Sequence, residues 1–257
     1  MSERKKIGLM CDKKKKEARE LMVEVRKWLK ARGCQTFSVT KKNIETPNVI
    51  IAFGGDGFIL HSADKISKQG FLIPFVRINF GRRGFLANVE PHEVFERLNQ
   101  LLHNDYIVTK RARIEVTVAS PGQAEIKADA LNDIVIERTG TRSLLYKVII
   151  NGKEKIETIA DGLIFCTRTG STAYNRALGG PTLLKEDKFV LTKVGRTNPE
   201  EPFYFVRPAT SVFQLTGLKG KPRVAVDGDE LLKLKEDNSV TIRISPQKTL
   251  FIEFGDL

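Results

Sequence analysis

From Lys6 to about Asn104, short apolar runs alternate with stretches in which apolar residues recur every three or four positions. KIGLMC (6–11) reads as a strand. Residues 14–32 place Ala18, Leu21, Met22, Val25 and Leu29 on one helical face before Gly33, and QTFSV (35–39) resumes a strand. VIIAF (49–53) is a further strand, FILHSADKIS (58–67) a helix, and PHEVFERLNQLLHNDY (91–106) a helix by its Val94, Leu98, Leu101 and Leu102 spacing. Strand and helix in alternation predict a parallel sheet with helical crossovers.

Beyond residue 108 the pattern becomes almost continuously strand-like. ARIEVTVA (112–119), AEIKADALNDIVIER (124–138), SLLYKVIING (143–152), KIETIADGLIFCT (155–167), SVFQLTG (211–217), RVAVDGD (223–229) and SVTIRIS (239–245) follow one another. Pro121-Gly122, Asn151-Gly152 and Asp227-Gly228 supply turn dipeptides between them. The expected fold is an α/β N-terminal domain with a mostly parallel sheet (residues 1–108) and an all-β C-terminal domain (109–257), whose last segment is free to pack back on the first domain.

Two glycine clusters interrupt these patterns where strands lead into helices, the position at which α/β sheets bind ligands. In the first, VIIAF runs into Gly54, Gly55, Asp56 and Gly57. Amides at Gly55 and Gly57 allow a phosphate to approach without side-chain obstruction. A carboxylate beside a phosphate suits either a magnesium ion or the proton of a hydroxyl nucleophile. A turn in which glycines supply positive φ and Asp56 caps the next helix accounts for these residues equally well.

The second cluster is ADGLIFCTRTGSTAYNRALGGP (160–181). Here Thr169, Gly170, Ser171 and Thr172 precede a helix start whose hydroxyls and amides suit phosphate or ribose oxygens. Helix capping by Ser171 or Thr172, with Gly179-Gly180-Pro181 as the stop, is the competing account.

Composition narrows the class. The 257 residues are 41% hydrophobic and 29% charged, as in ordinary globular chains, and no apolar stretch approaches the roughly 20 residues that span a bilayer. A cytoplasmic protein without a membrane anchor is expected. Cys11, Cys34 and Cys166 are scattered and far from His61, His92 and His103 in the sequence, so neither a zinc site nor a Cys/His nucleophile is indicated. The net charge of +12 calls for an anionic partner, but no nucleic-acid-binding motif accompanies it.

In family order and spacing, GGDG (54–57), LNDIVIER (131–138), ADGLIF (160–165) and TGSTAYN with GGP (169–181) resemble the NAD kinase family; NFGRRGFLANV (79–89) resembles its intervening glycine segment and VAVDGD (224–229) fits its C-terminal sheet. The resemblance implies transfer of a phosphoryl group from ATP, or from polyphosphate, to the adenosine-ribose 2′-hydroxyl of NAD. It also implies a divalent cation, usually Mg2+, a homodimer or homotetramer, and an NAD-binding C-terminal domain. By position, Asp56 is the proton acceptor with Gly57 beside it, and Gly54, Gly55 and Gly57 form the phosphate turn. Asn132 and Asp133 hold NAD hydroxyls, Asp161 touches the nicotinamide portion, and Thr172, Ala173 and Tyr174 line the dinucleotide.

The residue chemistry agrees in part: Asn132 offers donor and acceptor and Asp133 an acceptor, a set suited to a ribose diol. Without the motif, Asn-Asp and Asp161-Gly162 read as turns and Tyr174 as a core aromatic. Four positions depart from the family pattern: Phe58 for Thr, His61 for Arg, Arg168 for Pro and Ala177 for Ser. A phosphate contact from His61 therefore depends on its protonation, and Arg82 and Arg83 are candidate substitutes. Two other classes are weighed: a lipid kinase of the diacylglycerol or sphingolipid type sharing the GGDG turn, and a basic nucleic-acid-binding protein.

Overall fold

In the computed structural model, residues 5–40, 47–82, 84–195, 198 and 200–255 are described. The chain divides into two units, residues 1–111 together with 248–257, and residues 112–247.

The first unit runs β1 (Lys6–Cys11), α1 (Lys16–Ala31), β2 (Gln35–Ser38), β3 (Val49–Gly54), α2 (Asp56–Ser67), β4 (Phe75–Asn79) and α3 (Val94–His103). Its strands are parallel in the order β2-β1-β3-β4. β3 and β4 are buried at every position; β3 accordingly reads as an unbroken apolar run, whereas β4 carries the buried Arg77 and Asn79. Helix α1 buries Ala18, Val25 and Leu29 against the sheet core and ends at Gly33, whose φ of 80° suits the left-handed closing residue of a helix. The predicted helix at 91–106 is shorter than its pattern. A 3-10 turn at Pro91–Glu93 with a Glu90/Glu93 capping box precedes it, and Asn104 at φ 59° ends it.

The strands that follow are β5 (Ile107–Ala119), β6 (Ile126–Ala130), β7 (Asp133–Arg138), β8 (Leu144–Ile150), β9 (Glu154–Ala160) and β10 (Gly162–Cys166). After α4 (Tyr174–Ala177) come β11 (Lys188–Val194), β12 (Tyr204–Pro208), β13 (Phe213–Lys219), β14 (Pro222–Val226), β15 (Asp229–Lys233) and β16 (Ser239–Glu253). Within the second unit, β12-β11-β10-β7-β14-β15 form an antiparallel sheet. β16, β13, β8 and β9 pair antiparallel on a second path. Their inner faces share one core, in which Phe165 of β10 meets Phe213 of β13 edge to face at 5.2 Å between centroids. β16 runs on past the predicted residue 245, and Phe251 pairs in parallel with Phe75 of β4 in the first unit's sheet.

Candidate active site

The first glycine cluster forms the sharp turn from β3 into α2. Gly55 is the extended residue before the helix and Asp56 opens its first turn. The Asp56 carboxylate reaches across to the 79–89 segment: Oδ2 accepts the Phe85 amide at 3.1 Å, and Oδ1 accepts the amides of Leu86 and Ala87 at 3.1 and 3.0 Å. Two carboxylate oxygens provide about four acceptor sites, and the amides of the described residues take three of them, two on Oδ1 and one on Oδ2.

The glycines differ in kind. Gly57 is open on its Cβ side, Gly55 lies against the Gly81 backbone, and the Cβ space of Gly54 is filled by the Phe58 ring, 2.5 Å from the ideal position. Phe58 thus packs inward over the strand end where the resemblance expected a hydroxyl. His61 is exposed further along α2 and Arg82 is exposed in its loop; Arg83 lies outside the described residues.

In the second unit a pocket of about 360 Å³ opens beside β7, lined by Asn132, Asp133, Ala173 and Tyr174 with Ala225, Asp227 and others. Such a volume suits a small-molecule site, for which roughly 300–1,000 Å³ is usual. Four residues expected from sequence therefore meet at one cavity. Asn132 lies in the break between β6 and β7 and Asp133 opens β7, and the chain after β10 is sewn to that break. Thr167 donates its hydroxyl to the Leu131 carbonyl at 2.6 Å and its amide to the Asn132 carbonyl at 3.0 Å. Gly170 must be glycine here, because a Cβ would stand 2.0 Å from the Asn132 carbonyl oxygen.

Burial, and then the neighbouring Asp227 charge, push the Asp133 carboxyl up to about 7. Tyr174, also in the lining, is half-exposed, its hydroxyl pushed up by burial and then by the charges of Glu137 and Asp133. Arg223 closes another side, ion-paired to Glu137 at 2.6 Å and to Glu230 at 3.0 Å.

The expected helix at residues 173–178 is only a four-residue turn preceded by a 3-10 turn at Gly170–Thr172, and neither has a side-chain cap. The hydroxyls there are engaged. Ser171 donates to the Arg168 carbonyl and accepts the Leu183 amide, and Thr172 donates to the Thr169 carbonyl. Asp161 is ion-paired to Arg138 at 2.8 Å and accepts the Ser143 hydroxyl at 2.8 Å; neither it nor Thr172 nor Ala177 lines the 360 Å³ pocket. Asp227 and Asn175 are the residues that motif reading passed over. Asn175 is fully buried, donates to the Ser171 and Pro181 carbonyls and accepts the Thr192 hydroxyl.

Among the described residues no three His, Cys, Asp or Glu side chains converge as a metal cage. Magnesium commonly binds through one or two carboxylates plus substrate phosphates, so the absence of such a cage is compatible with a cation that arrives on a nucleotide.

The ATP-NAD kinase N-terminal domain model matches residues 38–106, and the ATP-NAD kinase C-terminal domain model matches residues 131–254. The chain is 32% identical to the NAD kinase of Treponema denticola, covering 95% of this chain and 89% of that protein. It is 31% identical to the NAD kinase of Pyrococcus abyssi, covering 97% and 94%. Its fold matches yeast NADH kinase complexed with NADH at a TM-score of 0.87 and 18% identity, covering 98% of this chain and 84% of that one. It matches an NAD kinase from Archaeoglobus fulgidus in complex with ATP at 0.77 and 20%, covering 96% and 93%. Nothing in these likenesses favours a lipid kinase or a nucleic-acid-binding protein. Two family models matched in chain order, with relatives above 30% identity along nearly the whole length, show that this chain belongs to the NAD kinase family.

Proposed function

We propose that this chain phosphorylates the adenosine-ribose 2′-hydroxyl of NAD to give NADP, with ATP as donor, and that NAD is held in the pocket beside β7. The observation that carries the assignment of the pocket is the convergence of Asn132, Asp133, Ala173 and Tyr174 on one cavity from two separate motifs. Asn132 can both give and accept hydrogen bonds, Asp133 accepts when ionised, and Tyr174 supplies an aromatic wall for a flat ring. The ATP complex of the Archaeoglobus fulgidus relative supports ATP as the donor; polyphosphate is the second candidate.

In the transfer, the 2′-oxygen of the ribose forms a bond to the γ-phosphorus, the bond from that phosphorus to the β,γ-bridging oxygen breaks, and ADP leaves. The 2′-hydroxyl proton goes to Asp56, whose Oδ2 accepts a single amide among the described residues, while the glycine amides of the turn face phosphate oxygens. A divalent cation, when bound with the nucleotide, neutralises phosphate charge. A cytoplasmic enzyme of two or four copies completes the reading; the cysteines Cys11, Cys34 and Cys166 are free, as a reducing compartment requires.

Calorimetric titration with NAD tests the pocket. Asn132→Ala combined with Asp133→Ala removes at least two ligand hydrogen bonds and should weaken binding by about 2 to 4 kcal/mol. Unchanged affinity in a folded double variant would place NAD elsewhere.

A further inference from the structure

Asp227 and Gly228 are the central residues of the two-residue hairpin between β14 and β15, at φ 50° and 89°, and pairing resumes at Val226 and Asp229. Such a turn takes Asn-Gly as readily as Asp-Gly. What asks for a carboxylate here is its destination. Asp227 Oδ2 accepts the Leu131 amide at 2.8 Å, and Oδ1 accepts the amides of Asn132 and Asp133 at 2.7 and 3.2 Å. The Asp227 amide in turn donates to the Asp133 carbonyl at 3.0 Å. An asparagine has one acceptor oxygen, and its NH2 would face one of the three donors.

We propose that Asp227 is the positioning residue of the ribose-binding corner, its carboxylate fixing the backbone of residues 131–133 so that the Asn132 and Asp133 side chains present to the hydroxyls of NAD. The proposal rests on the reading of this pocket as the NAD site. Three consecutive amides pinned to one anion hold the break between β6 and β7 in a single conformation, and preorganisation of that kind lowers the ordering cost of binding.

The same carboxylate sets a charge beside Asp133. Facing Asp133 are Asp227 from the hairpin, Tyr174 from α4 and Cys166, its register partner on β10. Burial pushes Asp227 up too, but the amides of Leu131 and Asn132, then Arg113 and the Asp133 amide, pull against it. Both carboxyls are thus raised, and Asp133 is held up to about 7 by burial and then by the charge of Asp227. A carboxyl held up to about 7 is ionised only above that pH, so NAD affinity that uses Asp133 as an acceptor rises as pH rises through about 7.

The test is NAD titration and steady-state kinetics of the full chain, wild type against Asp227→Asn and Asp227→Glu, across the pH range around 7. Asp227→Asn loses at least one buried charge-assisted bond, so KM for NAD should rise roughly ten- to hundredfold with kcat and the KM for ATP little changed. With the like charge gone, the pH midpoint of NAD affinity should also move down. Asp227→Glu keeps the charge but displaces it by a methylene; NAD should weaken while the pH midpoint stays near that of the wild type. Unchanged NAD affinity and pH midpoint in Asp227→Asn would overturn the proposal, as would failure of both variants to fold, which would make Asp227 a residue of the fold. A wild-type chain that binds no NAD would instead remove the reading of the pocket, and the proposal with it.

Discussion

At the scale of single residues, Asp56 has two tasks to reconcile. Its carboxylate ties the β3–α2 turn to Phe85, Leu86 and Ala87, and the proposed chemistry asks Oδ2 to take a proton as well. Asp56→Asn removes the basic oxygen and turns an NH2 toward amides that are themselves donors. Loss of a general base costs about 10² to 10⁴ in rate, so kcat should fall by at least that while NAD affinity in the second unit's pocket changes much less. A near-normal kcat would end the assignment of Asp56 as base. The sequence displayed Asp56 plainly, because a carboxylate among three glycines breaks an apolar run. It hid the partners, since the three amides lie 29 to 31 positions along the chain and a backbone donor leaves no mark on residue identity. Asp227 was hidden for a related reason: Asp-Gly already had a sufficient explanation as a hairpin turn.

At the scale of elements, periodicity found β3, whose residues are apolar throughout, and the helices with one apolar stripe. It passed over β4, whose run is broken by Arg77 and Asn79, the hairpin strand β15, and β11 and β12. All five central residues of β11 are buried, yet two of them are Thr192 and Lys193, each polar, so the sequence breaks the apolar run. Thr192 is satisfied by Asn175, 17 positions back, and Lys193 by Glu201 at 2.6 Å, 8 positions on, neither at a spacing that strand periodicity reveals. β12 is a short edge strand of alternating exposure with charged Arg207 in it, a pattern that also suits a loop. The TGSTAYN block was legible as a motif but not as a shape: the short turns at 170–177 are held by Asn175 rather than by helix length. Asn175→Ala strips three buried hydrogen bonds from that block and should lower unfolding free energy in urea by about 2 to 4 kcal/mol. A change within about 0.5 kcal/mol, the ordinary range for surface substitutions, would show that the block is held by other contacts.

At the scale of the whole molecule, the net charge of +12 proved a poor guide. Several cations are structural: Arg77 is buried against Glu253, Arg113 against Asp129, and Lys5 donates to the last carbonyls of α3. Function became legible through ordered motifs, and the family matches span both motif sets. The central claim is phosphorylation of NAD at the 2′-hydroxyl. The most direct measurement incubates the purified chain with NAD and Mg-ATP, in parallel with polyphosphate, and reads the product with a dehydrogenase specific for NADP. Continuous NADP formation that requires a donor is the expected result; no NADP with either donor from a folded chain that binds NAD would contradict the account.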